Sequence, residues 1–316
     1  MKHKENFSHT NPYTPLIIAL IFFALVLALV VPSFQNSKKT SLEASATLSS
    51  IALRDFDFSH SPFESIVLNA DIAYVRNIET EKVVFHKNAD LVSPLASLAK
   101  LVTAYTALEI LDREYEVVIQ ESDLVAVGDH GLLVGERWKL EDLVVFMLIT
   151  SSNDSALAIE RIANEYLKNN SSTETFLSLM NSTVQNLGFE TLSFKNTSGL
   201  DLNSANVDPS AIGSAQDISL FFLHAYKTYP DIFTATSQSR STFQTDIKTH
   251  NVENTNILLG FSRSQATGSK TGYTRTAGGN LAIISPIQGQ MHIITVLKST
   301  RDGRFSDVEE LLQTLD

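Results

Sequence analysis

Segments typical of β-strands lie on both sides of a helix-like middle in this 316-residue chain. These segments are short and rich in β-branched and aromatic residues, and they fall at 66–68, 72–75, 83–86, 281–284 and 292–297. The polar sequence ETEK at 79–82 joins two of them as a hairpin, and a turn with Pro286 and Gly289 joins the last two. Strands joined by such short turns are antiparallel, so the chain is expected to build a mainly antiparallel sheet.

Between the two groups of strands, apolar residues recur at steps of three and four, which is the period of an amphipathic helix. In the segment that begins at Ser97, the apolar face contains Leu98, Leu101, Val102, Tyr105, Leu108 and Leu111. Further helices are predicted at 141–149, from Asn153 onwards, at 174–187, at 215–226 and at 306–312, with Ser306 as the cap of the last. We therefore predict an α/β protein of the α+β type, with an antiparallel sheet flanked by helices and an all-helical subdomain.

An unbroken apolar run, LIIALIFFALVLALVV, extends from Leu16 to Val31. With its flanking residues it approaches the roughly 20 residues that span the hydrocarbon of a bilayer. Lys2 and Lys4 precede it, which favours an N-terminus held in the cytoplasm. The alternative is a signal peptide cleaved near Pro32, which would release a secreted protein. In both cases the remainder of the chain lies outside the cytoplasmic membrane.

The residues after the apolar run are polar, with short apolar breaks and no sustained period, which is typical of a tether. We expect the chain to be anchored in the cell membrane rather than released. The predicted boundaries are a cytoplasmic tail at 1–14, a transmembrane signal anchor at 15–34, a linker at 35–64 and a catalytic domain at 65–316.

Composition excludes several classes of function. The formal net charge of −11 argues against nucleic-acid binding, which requires clustered Lys and Arg. The chain has no cysteine, which rules out a thiol nucleophile and a cysteine metal site. The eight histidines show no HExxH spacing. We expect neither a metal nor a cofactor.

The sequence Ser97-Leu98-Ala99-Lys100 places a hydroxyl and an amine one turn apart at the start of the first helix. Residues three apart lie on the same helix face, so Lys100 can hydrogen-bond to Ser97. The helix N-terminus also favours the negative charge that develops when a carbonyl is attacked. Alone, this spacing is more typical of an ordinary helix start.

Ser151-Ser152-Asn153 lies between two apolar helical runs. It fits a helix junction in which Asn153 or Asp154 caps the second helix. It also fits a catalytic cleft, because a buried hydroxyl and amide need hydrogen-bond partners. A second Ser-x-Asn triplet at 204–206 lies in a polar loop, which shows how little the triplet means alone.

Lys270-Thr271-Gly272-Tyr273 precedes the final pair of strands. The sequence fits a hairpin loop, which Gly and Thr populate freely. It also fits a strand edge that lines a cleft. There, Gly272 would let a substrate approach the backbone, while Lys270 and Thr271 would hold an anionic group.

In this order, SxxK, SxN and KTG form the signature of penicillin-binding proteins and class A β-lactamases. Longer stretches resemble D-alanyl-D-alanine carboxypeptidases, namely HKNADLVSPLASLAKLVTAYTALE, LLVGERWKLEDLVVFMLITSSNDSALAI, FKNTSGLD, GSAQDISLF and GSKTGYTRTAGGNLAI. The resemblance covers about residues 65–315. It implies a β-lactamase/transpeptidase-like fold and a serine carboxypeptidase that acts on peptidoglycan pentapeptides and binds β-lactams.

The resemblance also implies a role for each motif. Ser97 is the nucleophile, and Lys100 is the base, with a pKa lowered by burial or by a neighbouring cation, for which Lys270 is the candidate. Ser151 relays a proton to the leaving D-Ala amine, and Asn153 orients the substrate amide.

The third motif then binds the substrate. Lys270 and Thr271 bind the terminal carboxylate, assisted by Arg301 or Arg304. The backbone N–H groups of Ser97 and Tyr273 form the oxyanion hole.

Two departures from the family pattern stand out. Ser152 replaces the small residue, commonly Gly, that the family has in the middle of the second motif, and we expect little effect. Family members also commonly continue into a β-rich domain and a C-terminal amphipathic anchor, so here the N-terminal segment is expected to anchor the chain.

Other activities share these residues. Endopeptidase action on cross-links and transpeptidation need only a different leaving group or acceptor. A β-lactamase would need a Glu for deacylation, and Glu174 lacks the Asn that normally follows. A silent wall-binding protein is the non-enzyme alternative, but every motif residue is intact.

Overall fold

The computed structural model describes residues 66–128, 131–202, 208–260 and 265–315. The predicted tail, membrane anchor and linker lie outside these residues. Among the helices that are described, none has both the length and the apolar character needed to cross a bilayer.

The strands in chain order are β1 (Ile72–Asn77), β2 (Val83–Lys87), β3 (Ser93–Pro94), β4 (Glu116–Val118), β5 (Arg137–Lys139), β6 (Ser193–Phe194), β7 (Ala211–Gly213), β8 (Arg240–Gln244), β9 (Thr249–Glu253), β10 (Gly268–Thr274), β11 (Gly278–Ile287) and β12 (Gln290–Ser299). The α-helices are α1 (Ala99–Ile110), α2 (Leu140–Thr150), α3 (Asn153–Asn169), α4 (Phe176–Asn186), α5 (Ala215–Thr228), α6 (Pro230–Ala235) and α7 (Gly303–Leu315). Short 3-10 turns occur at Ala96–Leu98, Glu121–Asp123 and Ile257–Gly260.

The main sheet joins strands from both sides of the helical middle. Its five strands run in the order β10-β11-β12-β1-β2, and all neighbouring pairs are antiparallel. The pairing of β1 with β12 connects Ile72 to Leu297 across most of the chain. Strand β10 is one edge of this sheet. The predicted antiparallel α+β architecture is therefore confirmed.

Both faces of the sheet are covered by helices. Along β1, Ile72 and Tyr74 pack into a core shared with the helices, whereas Ala73 and Val75 point to the opposite face. Helix α5 contacts β1 and β12, while α7 packs on β11 and β12. This alternation explains why the central strands are apolar almost throughout, since neither face meets water.

The structure adds the short strands β3 to β9, which the sequence pattern did not predict and which include two hairpins in the part expected to be all-helical. Three of the predicted elements also begin at other residues or lack regular structure. Ile66–Leu68 is irregular, and the first strand begins at Ile72. Ser97 lies in a 3-10 turn, because α1 begins at Ala99. The last helix starts at Gly303, one turn before the predicted Ser306 cap, where Gly303 N–H donates to Thr300 Oγ1 at 2.8 Å.

Candidate active site

Ser97 occupies a sharp bend between β3 and α1. Ala96, immediately before it, adopts a left-handed backbone with φ of 50°, which is costly for a residue with a Cβ. The bend places Ser97, which is half-buried, one turn before Lys100 on the continuing helix. Lys100 Nζ lies 3.0 Å from Ser97 Oγ, so the predicted pair is in hydrogen-bond contact.

Lys100 is fully buried, and its amine is surrounded by oxygen atoms. Besides Ser97 Oγ, Lys100 Nζ contacts Asn153 Oδ1 at 2.8 Å and the Ser198 carbonyl oxygen at 2.6 Å. An amide oxygen and a backbone carbonyl can only accept hydrogen bonds. A neutral amine that donates to both therefore turns its lone pair towards Ser97 Oγ, which is the orientation that a base requires.

Burial lowers the pKa of Lys100 to about 7, because a charged amine is poorly solvated in the interior. Desolvation is one of the two causes considered from the sequence, and it acts on Lys100. The other cause, repulsion between the charged amines of Lys100 and Lys270, is mutual, because each positive charge disfavours the other. Burial, followed by the positive charges of Lys100 and Arg304, lowers the pKa of Lys270 well below its usual range.

The second motif forms the junction between α2 and α3. Ser151 ends α2 in a left-handed conformation, and Ser152 is the N-cap of α3, accepting from Ser155 N–H at 3.1 Å. The cap is thus Ser152, not Asn153 or Asp154 as the junction interpretation had it. Asn153 is then free to direct its side chain to the site, where Oδ1 accepts from Lys100 and Nδ2 donates to the Val127 carbonyl at 2.7 Å.

The third motif lies on the edge strand β10, as the cleft interpretation predicted. Lys270 Nζ donates to Ser151 Oγ at 2.9 Å and to the Thr271 carbonyl at 2.8 Å. Thr271 Oγ1 lies 2.6 Å from Thr255 Oγ1. The second and third motifs are therefore joined through Ser151 and Lys270, just as the first and second are joined through Lys100 and Asn153.

Gly272 brings β10 against the bend that carries the nucleophile. A Cβ at Gly272 would lie 2.9 Å from the Leu95 carbonyl oxygen and 3.2 Å from Ser97 N. No larger residue fits without a shift of backbone, which is the physical reason for glycine here. Tyr273, the next residue, is 47% exposed.

Both candidate arginines lie beside β10, in different environments. Arg304 is buried and donates from Nη1 to the Gly272 carbonyl at 2.6 Å, while its Nε has no hydrogen-bond partner among the described residues. Burial, assisted by the charge of Arg301, lowers the pKa of Arg304 to about 10. Arg301 is exposed and places its guanidinium 5.3 Å from the centre of the Tyr273 ring.

Two further functional groups are backbone carbonyls, at Ser198 and Val127. Neither can be predicted from a side-chain motif, because a backbone carbonyl oxygen carries no side-chain signature. Ser198 nevertheless lies in FKNTSGLD, one of the stretches that resemble the carboxypeptidase family. The second Ser-x-Asn triplet, at 204–206, lies outside the described residues.

A family model described as D-alanyl-D-alanine carboxypeptidase, peptidase S11, matches residues 59–300. Penicillin-binding protein D2 of Listeria monocytogenes, solved with ampicillin bound, superposes with a TM-score of 0.66 at 30% identity, covering 79% of this chain and 99% of that one. The Streptomyces K15 DD-transpeptidase has the same TM-score at 24% identity, over 79% of this chain and 97% of its own, and supports the fold alone.

The fold is that of the penicillin-binding proteins and DD-transpeptidases. The chain belongs to the D-alanyl-D-alanine carboxypeptidase family, peptidase S11.

Two curated relatives illustrate the range within the family. The D-alanyl-D-alanine carboxypeptidase DacC of Escherichia coli is 29% identical over 73% of this chain and 57% of its own length. The D-alanyl-D-alanine endopeptidase of the same organism is 25% identical over 76% of this chain and 74% of its own length. The chain spans less than two thirds of the length of DacC and of the Haemophilus influenzae carboxypeptidase DacA, of which it covers 65%.

Proposed function

We propose that this protein is a serine-type D-alanyl-D-alanine carboxypeptidase, which removes the terminal D-Ala from peptidoglycan stem peptides through an acyl-enzyme on Ser97. The observation that carries the proposal is the environment of Lys100. Its amine is buried, has a pKa near 7 and lies 3.0 Å from Ser97 Oγ, with its other partners restricted to acceptors. A buried lysine of this kind serves as a general base at neutral pH.

Acylation begins when Ser97 Oγ attacks the carbonyl carbon of the penultimate D-Ala and its proton passes to Lys100. Negative charge then develops on the carbonyl oxygen. The backbone N–H groups of Ser97 and Tyr273 receive this oxygen, at the point where β10 meets the bend. Fixed donors of this kind stabilise the transition state without rearranging.

The leaving D-Ala needs a proton and a site for its carboxylate. Ser151 hydroxyl supplies the proton to the amine and is resupplied from the Lys100 and Lys270 amines, the second of which contacts it directly. Lys270 and Thr271 bind the carboxylate. Of the two candidate arginines, Arg304 is the one that hydrogen-bonds to the backbone of β10, and it assists them. An arriving carboxylate favours the charged form of Lys270, and a charged Lys270 favours a neutral Lys100.

The cycle ends when water attacks the ester carbonyl and Ser97 is released. A β-lactam enters the same sequence and forms an ester on Ser97, in keeping with the ampicillin and cefotaxime complexes of the Listeria protein. Glu174, the candidate for a β-lactamase-type base, is exposed in the segment before α4. We therefore expect the ester to be hydrolysed slowly.

The direct test is covalent labelling of the full chain with a fluorescent penicillin. We expect a stable adduct on Ser97, no adduct with Ser97→Ala, and normal labelling of Ser306→Ala, a control with an exposed hydroxyl. Labelling that persists in Ser97→Ala would contradict the proposal that Ser97 is the nucleophile. An unlabelled wild-type protein would instead support a silent wall-binding role.

Endopeptidase activity on peptide cross-links is the second candidate. It is favoured by the Escherichia coli endopeptidase, which this chain matches over 74% of its length. The two activities separate when the labelled protein is given a pentapeptide or a cross-linked dimer. Release of free D-Ala supports the carboxypeptidase, whereas conversion of dimer to monomer without free D-Ala supports the endopeptidase.

We also propose that residues 15–34 anchor the protein in the cytoplasmic membrane, with the catalytic domain outside the cytoplasm. The apolar run from Leu16 to Val31 and the preceding Lys2 and Lys4 support this arrangement. Fractionation of cells that express the full chain should place it in the membrane, and a protease added outside should digest the catalytic domain. Recovery of a shortened chain from the medium would instead support signal cleavage.

A further inference from the structure

The segment from Asn196 to Asp201, here called the bridging segment, contacts the active site at separate points along its length. It lies outside the helices and outside the main sheet. Its conformation is fixed internally by Asn196, whose Oδ1 accepts from Gly199 N–H and whose Nδ2 donates to the Leu200 carbonyl, each at 2.8 Å. The segment is therefore a preformed loop.

One end of the bridging segment is attached to the helices that carry the nucleophile and the second motif. Thr103 on α1 donates to the Thr197 carbonyl at 2.6 Å, and the Thr197 hydroxyl donates to Glu160 on α3 at 2.8 Å. The next carbonyl, of Ser198, accepts from Lys100. The segment thus has a defined position relative to the catalytic base.

Gly199 packs against the backbone of the bend. A Cβ at this position would lie 1.9 Å from the Ala96 carbonyl oxygen and 3.1 Å from Ser97 N, and φ is +76°. Only glycine can make this approach. The contact supports the left-handed Ala96 and thereby the direction of the Ser97 N–H.

The other end of the bridging segment reaches β10. Asp201 accepts from Thr274 Oγ1 at 3.1 Å through Oδ1, and from Thr276 N–H at 3.4 Å through Oδ2. Thr274 is the last residue of β10 and directly follows Tyr273. It is buried and also accepts from Ala277 N–H at 3.0 Å. A single carboxylate therefore binds the end of the strand that carries one of the two oxyanion donors.

The two oxyanion donors belong to different elements. Ser97 N lies in the bend before α1, and Tyr273 N lies on the edge strand β10, which has β11 on only one side. Their spacing depends on the contact of Gly272 with the bend and on what connects the bend to the end of β10 beyond that contact. We propose that Asp201 is a positioning residue that makes this connection and sets the distance between the N–H groups of Ser97 and Tyr273.

The inference rests on the proposed acyl-enzyme chemistry. It requires Asp201 to act on the transition state, where the oxyanion exists, more than on substrate binding. A misplacement of about 1 Å at a reacting group costs roughly a hundredfold in rate. Loss of the Asp201 contacts should therefore lower the rate of acylation with little change in ground-state affinity.

The experiment measures acylation of the full chain by a fluorescent penicillin in a stopped-flow instrument, which separates the dissociation constant from the first-order acylation rate. For Asp201→Ala we expect that rate to fall about tenfold to a hundredfold and the dissociation constant to change less than about threefold. Thr274→Val should show a smaller loss because the Thr276 contact remains, and Thr274→Ser should behave as wild type.

Asp208→Ala is the matched control. Asp208 is a nearby aspartate in the sequence, but it forms an exposed ion pair with Lys195 at 2.8 Å and does not contact the described residues of β10 in this way. This variant should be acylated as the wild type is. A peptide boronic acid gives an independent readout, because its tetrahedral adduct places an oxygen in the oxyanion hole. Its affinity for Asp201→Ala should fall by the same factor as the acylation rate.

Two results would overturn the inference. Wild-type acylation by Asp201→Ala would show that the carboxylate positions nothing. Equal losses in affinity and rate, accompanied by a lower melting temperature, would show a role confined to folding. Failure of the wild-type protein to acylate at all would remove the proposed function itself, and with it the basis of the inference.

Discussion

At the scale of single residues, the protonation state of Lys100 decides whether Ser97 can be activated. The pKa of about 7 means that the amine is largely charged at pH 6 and largely neutral at pH 8. Only the neutral form has a lone pair for the Ser97 proton. We therefore expect the second-order rate constant of penicillin acylation to rise with pH, with a midpoint near 7, and to level off above about 8.

The measurement is a series of labelling rates between pH 5.5 and 9, limited to conditions in which the protein remains folded. Lys195→Gln, which changes an exposed lysine, should reproduce the wild-type profile. A rate that is constant across this range, or that falls as pH rises, would show that Lys100 is not the base.

Gly272 is the second residue whose environment makes a sharp prediction. A Cβ there would lie 2.9 Å from the Leu95 carbonyl oxygen, so Gly272→Ala must move either β10 or the bend. We expect acylation to slow by at least about tenfold while the protein stays folded. Gly260→Ala is the control, because a Cβ at Gly260 meets nothing within 4 Å. Normal acylation of Gly272→Ala would mean that the two elements need not be in close contact.

At the scale of elements, helix α7 holds the irregular start of the described chain through one buried carboxylate. Asp307 accepts from Asn69 N–H at 2.7 Å, from Asn69 Nδ2 at 3.0 Å, from Ala70 N–H at 2.9 Å and from Ser299 Oγ at 2.5 Å. Asp307→Ala leaves these donors without a partner, and each buried donor left so costs about 1–3 kcal/mol. We expect the free energy of unfolding to fall by about 3 kcal/mol in urea titrations.

Glu310→Ala, on the exposed face of the same helix, should change that free energy by less than about 0.5 kcal/mol. If both variants unfold at the wild-type urea concentration, Asp307 does not hold the two elements together.

The same carboxylate explains what sequence patterns could and could not predict. The strands and helices with a clear period of two or of three to four were placed within a few residues. Ile66–Leu68 looked like a strand but is irregular, because the groups that bind the following residues come from Asp307, 237 or 238 positions later in the chain. A local pattern cannot contain such a contact.

The active site also has one part that sequence patterns could predict and another that they could not. Side-chain motifs could be found because their residue types and order are visible, and the structure brings Ser97, Lys100, Ser151, Asn153 and Lys270 into one hydrogen-bonded set. The Ser198 carbonyl and the close approach of Gly199 could not be predicted in this way. Both depend on where the backbone passes in three dimensions.

At the scale of the whole molecule, the sheet and the helices share one core. Phe146 and Phe221 from the helices belong to the same buried cluster as Ile72 and Ile293 from the sheet. The sheet itself requires both ends of the domain, because β1 pairs with β12. Neither part can bury its apolar face without the other, so we expect them to unfold together.

The single tryptophan allows this to be tested without ambiguity. Trp138 is buried beside Phe146, with ring centres 5.0 Å apart, far along the chain from the strands of the sheet. In urea, the change in its fluorescence, the loss of far-ultraviolet circular dichroism and the loss of penicillin labelling should share one midpoint. A fluorescence change and a loss of labelling at lower urea, with part of the circular dichroism signal retained, would show that the helical part opens alone. Labelling would be lost with it, because labelling requires Lys100 and Asn153 from the helices and Lys270 from the sheet to remain in contact through Ser97 and Ser151. That result would contradict a shared core.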